Sequence, residues 1–187
     1  MKTIIIATDF SAAALNAANY AADMALAINA DVLLLHVISI SVTYTDVPVL
    51  VNNEDIIRNR ENEISKLKME LLARSKSKLI INTEVRMGNF FHELETFCHI
   101  INPFAVVMGS QGTTAAERFL TGSHTIHTMK NLMWPLLTVP PGSKFSSIKK
   151  IGLACDFIKV AEHTPIDEIK MLVKDFNAEL HVLNTGS

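Results

Sequence analysis

Cysteine is scarce in this chain. Its 187 residues include two, Cys98 and Cys155, and neither sits in a CxxC pair. Two are too few for a disulfide framework, so both are expected to be reduced and buried, behaving as small apolar side chains. Aromatic residues are also few, 6% against 49% hydrophobic overall, so the apolar mass is mostly Ala, Ile, Leu, Val and Met. Such a composition suits buried parallel strands and closely packed helices. No uncharged apolar run is long enough to span a membrane, and that of MKTIIIATDFS is too short for a signal sequence. An excess of one charge is missing as well: 17 basic and 19 acidic residues leave a formal net charge of -2. Without a basic stripe, nucleic acid is a poor partner. The charges between Glu54 and Lys78 alternate in sign, as on a solvated helix face. A soluble cytoplasmic protein is expected, with one domain or one domain and part of another.

What is present is an alternation of strands and helices. Residues 3–8 form a β-branched run ending at Asp9, apolar on both faces, as at the centre of a parallel sheet. Ser11 offers an N-cap for a helix through about Asn29, rich in alanine and able to lie close to the sheet. A second buried strand, DVLLLHVI, covers residues 31–38; His36 reads as lying at the strand end near the pocket, with packing as its expected role. Residues 39–52 read as an apolar loop, a lid or partner surface. A long helix over 53–75 has Ile57, Ile64, Leu67 and Leu71 on one stripe. A strand at 79–86, a helix at 90–101 stopped by Pro103, and a strand at 104–108 follow. A further helix, at 123–132, leads to a last strand at 134–139, which Pro135 places at an edge. The β-α-β-α-β-α-β-α-β order predicts an α/β, Rossmann-like fold: a doubly wound, mostly parallel five-stranded sheet with helices on both faces.

Residues 1–142 are read as one domain and 143–147 as a linker. Over 148–187 the pattern restarts: KKIGLACDF matches KTIIIATDF, and AELHVL echoes ADVLLLH. This internal repeat supplies only a strand, a helix and a strand. It reads as a partial second repeat that needs a cover for its sheet edge.

The motif with chemistry is Gly109-Ser-Gln-Gly112, nine residues, then Gly122-Ser123, between a buried strand and a helix. Glycines let backbone approach a phosphate or take positive φ, and helix-start amides face the anion. The plainer reading is a tight turn and a helix entry. The motif resembles that of the universal stress protein family, ATP-binding branch, in a tandem form truncated in its second repeat. The features that carry the resemblance are ATDFS, LLLHVI, RMGN and VVMGSQG…LTGSHT.

The resemblance implies an adenine-nucleotide α-hydrolase-like fold and a set of ATP contacts, ATP being bound with Mg2+. Ala7 backbone and Asp9 would meet ribose and adenine, the backbone of Val37 the adenine edge, and Met108 the nucleoside. Gly109, Gln111 and Gly112 would hold phosphates from one side, and Gly122, Ser123 and His124 from the other. Gln111 stands where many relatives are basic, which removes a charge partner for phosphate. The first turn lacks the SGG-x-D-S pattern of ATP pyrophosphatases, which disfavours an adenylating enzyme.

Alternatives remain at single residues. Asp9 contacts nucleotide or serves only as a helix cap or turn residue. Ser110, Thr113, Thr114, Ser123 and Thr125 include a phosphoacceptor or serve turn chemistry alone. His124 and His127 share a helix face but have no third metal ligand at a sensible spacing, so no metal site is expected. Trp134 anchors a dimer face or plugs the sheet end. There is no paired acid and base, no P-loop lysine and no arranged nucleophile. A nucleotide-dependent stress-response switch is therefore expected, as a homodimer or a pseudo-dimer with the second repeat. Enzymatic activity would be at most slow ATP hydrolysis or autophosphorylation. The remaining alternative is a dimerising scaffold without nucleotide.

Overall fold

The computed structural model describes residues 2–39, 53–110, 123–155 and 165–184, and of Asn53, Ser123, His124, Thr125 and Met129 the backbone alone. The expected lid at 39–52 lies, apart from Ser39, outside the described residues. The chain divides into two units, residues 1–145 and 146–187.

The first unit is a five-stranded parallel sheet of order β3-β2-β1-β4-β5. Its strands are β1 (Lys2–Ala7), β2 (Ala30–Ile38), β3 (Ile81–Met87), β4 (Ala105–Gly109) and β5 (Leu136–Val139). Between them run α1 (Ala12–Ile28), α2 (Asn53–Arg74), α3 (Phe90–Ile101) and α4 (Ser123–Asn131). The doubly wound α/β fold expected from the sequence is the one observed. The central strands are apolar on both faces because both are covered. Ile4, Ile5, Ile6, Leu34 and Leu35 are fully buried, each side chain contributing roughly 1.5–3 kcal/mol.

Strand pleating divides these residues between two cores. Ile5, Ala7, Leu33, Leu35, Val106 and Met108 pack with Leu94, Phe97 and Cys98 of α3. The other face carries α1 and α2, joined by the Arg74–Asp23 fork with N···O distances of 2.8 and 2.6 Å. Small side chains on α1 make its close seat possible: Ala17, Ala18, Ala21 and Ala25 have no accessible surface or almost none. Ser11 caps α1, its Oγ accepting from Ala14 N at 3.1 Å. The helix ends at Asn29 in the left-handed region, whose N–H donates to the Ala25 carbonyl. Asn102 ends α3 the same way. Asparagine tolerates this conformation better than most residues, and the bend turns the chain back into the sheet.

Two details differ from the sequence reading. Pro135 precedes β5 instead of lying within it, and its carbonyl accepts from Val106 N at 2.8 Å. The ring thus starts the edge strand without removing a ladder donor. Cys98 is buried as expected, but Cys155 is only half-buried.

The second unit contains β6 (Lys150–Cys155), α5 (Ile166–Phe176) and β7 (Glu179–Asn184), β6 and β7 pairing in parallel. Ile151 lies opposite Leu180 as Ile4 lies opposite Val32, so aligned residues keep one register in the two units. Asn177 ends α5 in the left-handed region, as Asn29 ends α1. No residue described in this unit is fully buried. Among the described residues no helix is long and apolar enough to cross a membrane.

Burial pushes the Cys98 thiol up to about 12, with Glu95 adding to the effect. Iodoacetamide at pH 8 should therefore leave Cys98 unmodified in the folded protein and alkylate it in urea. Mass-spectrometric mapping checks this; rapid labelling of Cys98 in the native state would contradict the packing described.

Candidate functional site

The chain moves outward from β1 through β2 to β3, then returns to the other side of β1 with β4 and β5. The reversal lies between β1 and β4, where the paired register runs from Ile4–Ala105 to Ile6–Val107 and stops. On either side pairing continues further. Thr8 N donates to the Leu35 carbonyl at 3.0 Å, and β4 stays paired with β5 as far as Gly109–Val139. The sheet therefore parts at the carboxyl ends of its two middle strands, the place where open α/β sheets receive ligands.

Residues 8–11 form one wall. Thr8 is buried and its Oγ1 accepts from Phe10 N at 3.0 Å. Asp9 is exposed, with Oδ1 accepting from Ser11 N at 2.9 Å. Phe10 has φ 62°, in the left-handed region, at a cost of roughly 1–2 kcal/mol for a residue with a Cβ. The two side-chain bonds hold this turn and lead the chain into the Ser11 cap. Asp9 thus makes the local turn bond that one of its two sequence readings required, and its carboxylate still faces outward.

Gly109 forms the opposite wall. A Cβ at this position would stand 2.9 Å from the Ala13 carbonyl carbon and oxygen and 3.1 Å from Ala14 N. Its φ is outside the left-handed region. The positive-φ reading of the motif's glycines does not hold at Gly109: there the missing Cβ leaves room for the first turn of α1, which crosses the end of β4. That approach brings the positive dipole end of α1 to the parted strands.

The residues named from sequence fall as follows. Ala7 and Asp9 lie at the end of β1, Met108 and Gly109 at the end of β4, and Val37 near the end of β2, one strand removed from the parting. Ser123 and His124 open α4. Gln111, Gly112 and Gly122, with Thr113 and Thr114, lie outside the described residues. His127 is exposed and meets the Phe91 ring edge-on at 4.8 Å. Trp134 Nε1 donates to Asn102 Oδ1 at 2.9 Å, and its ring meets His99 edge-on.

His36 is brought into this region with more than the packing role expected of it. It is buried at the end of β2, its Nδ1 2.7 Å from the Thr8 carbonyl and its ring 4.6 Å from that of Phe10. Burial lowers its pKa; the Thr8 bond, Glu63 and Asp9 oppose that shift and Arg60 adds to it. Burial thus favours the neutral ring, and because a carbonyl only accepts, Nδ1 carries the proton. The sequence signal was a polar residue ending an otherwise apolar strand. A separate open groove of about 490 Å³ follows one helix, α2, between Ile56 and Lys66.

An open, doubly wound parallel sheet parted at its switch point defines a Rossmann-like α/β protein. A model of the Universal stress protein family matches residues 1–140. Universal stress protein MJ0531 of Methanocaldococcus jannaschii is 30% identical over 145 residues, 76% of this chain and 84% of its own length. The chain belongs to the universal stress protein family. Among solved structures, a universal stress protein from Archaeoglobus fulgidus aligns over 97% of this chain and 66% of its own, at 18% identity and TM-score 0.70. Another, solved in complex with cAMP, aligns over 75% of this chain and 98% of its own, at 20% identity and TM-score 0.55.

Gly109→Ala should cost about 1–3 kcal/mol, because the added methyl meets backbone that cannot swing aside. Gly152→Ala is the control, its Cβ being 3.6 Å from a flexible Leu183 side-chain carbon. Urea unfolding of the two variants compares them; equal stability would mean that α1 does not press on β4.

Proposed function

We propose that this protein binds an adenine nucleotide, ATP foremost, in the crevice between β1 and β4, and that occupancy switches its interactions in a stress response. The observation that carries the reading is the parting of the β1–β4 ladder beneath the first turn of α1, at Gly109. Apolar β-strand ends suit a nucleoside, and helix-start amides suit phosphate. The cAMP bound by a relative of the same fold supports the ligand class. In this reading Ala7, Asp9, Val37 and Met108 meet the nucleoside, while Gly109, Gln111, Gly112, Gly122, Ser123 and His124 hold the phosphates. Magnesium enters with the triphosphate; among the described residues no three His, Cys, Asp or Glu side chains are grouped to hold a metal.

The role is binding, with at most slow ATP hydrolysis or autophosphorylation. Asp9 has no acid or base partner among the described bonds, and a single carboxylate gives little general-base power. Two copies would pair along β5. Trp134 stands just before that edge strand, and Met133 beside it is 86% exposed.

Denaturation of the purified protein with Mg-ATP, with GTP and without ligand tests the reading. ATP at a hundred times its dissociation constant should add about 2.7 kcal/mol, an increment lost in Gly122→Val. No stabilisation at millimolar ATP would contradict nucleotide binding and leave the dimerising scaffold.

A further inference from the structure

The paired residues of β1 and β2 end at Ala7 and Leu35. One residue further on, the Thr8 carbonyl is met by a side chain, the Nδ1 of His36 at 2.7 Å. The same imidazole lies against the ring of Phe10, the residue held at φ 62°. Thr8 and Phe10 are also joined directly, Phe10 N donating to Thr8 Oγ1. Asp9, between them, carries no side-chain anchor on the sheet; its described bond goes forward, to Ser11 N. His36 is therefore the one side chain of a neighbouring strand, among the described residues, that is bonded to this turn.

We propose that His36 is a positioning residue: through the Thr8 carbonyl and the Phe10 ring it holds the β1–α1 turn in the shape that presents Asp9 and the first turn of α1 to a ligand in the crevice. The ligand part of this inference rests on the nucleotide reading; the part concerning the turn does not. A donor is required at the Nδ1 position, because the partner is a carbonyl. A buried carbonyl left without that donor loses part of its hydrogen bonding, and a turn holding a left-handed phenylalanine relaxes toward extended backbone.

Two substitutions separate positioning from space-filling. In His36→Asn the amide nitrogen falls close to the place of Nδ1 and still donates to Thr8. In His36→Gln the longer amide reaches toward Nε2 instead, while filling the ring's volume better. Positioning requires Asn to be the better replacement; packing alone requires Gln.

The experiment is amide hydrogen exchange on the full chain, wild type and both variants, with ATP titrations in parallel. Exchange at Phe10 and Ser11 is expected to rise about tenfold in His36→Gln and to stay within about threefold of wild type in His36→Asn, the difference being one neutral hydrogen bond. ATP affinity is expected to follow the same order. Gln equal to or better than Asn at those amides would overturn the proposal. If wild type ignores ATP while the exchange order holds, the nucleotide reading fails and the assignment of the turn stands. Should either variant not fold, the imidazole ¹⁵N spectrum of wild type decides: an Nδ1–H tautomer is expected, and an Nε2–H tautomer overturns the proposal.

Discussion

The crossing of α1 over the end of β4 at Gly109 is the contact on which the rest of the first unit depends. At this point the Ala13 backbone comes within 2.9 Å of where a side chain would begin. Beside this approach the ladder of the two central strands stops at Ile6–Val107. Everything placed at the crevice follows from that seating. The Ser11 cap fixes where the helix begins, the alanines fix how closely it lies, and the turn at Phe10 accommodates the short path from strand to helix.

Most of the fold was legible in the sequence because the signals were local. The apolar runs of β1, β2 and β4 are apolar on both faces, and only a sheet covered by helices on both sides can use them. Ser11 gave the start of α1 directly. Where the outcome turned on tertiary distance, sequence pattern was silent. Gly109 reads as a phosphate-loop or tight-turn residue, and nothing in one sequence says that a helix passes over it. His36 could be placed near the pocket from its position at the strand end, but not its bond to Thr8, which joins positions 28 residues apart. Asn29, Asn102 and Asn177 are a signal that could have been used, each a left-handed helix end. Asn29 and Asn177 are each followed by Ala at the entry to a strand, which marks the repeat more compactly than the strand alignment does.

The two units show how far one topological element goes by itself. The β6–α5–β7 segment has the pairing register of β1–α1–β2, yet Leu180, Val182 and Leu183 are 41%, 49% and 56% exposed. In the first unit the equivalent strands are closed by β3 and β4 at their edges and by α3 on the second face. The isoleucines of β1 owe their burial to these neighbours, which have no counterpart among the described residues of the second unit. Gly152, where β1 has Ile5, removes one more core side chain.

The central claim is that the ligand sits at the parting of β1 and β4. Backbone NMR of the labelled protein during an ATP titration tests it most directly, because each amide reports its own position. The account expects the largest shift changes at residues 7–14, 37 and 108–110 and at the start of α4, with β3 little moved. Changes confined to the α2 groove or to the second unit, with residues 7–14 and 108–110 silent at saturation, would contradict it.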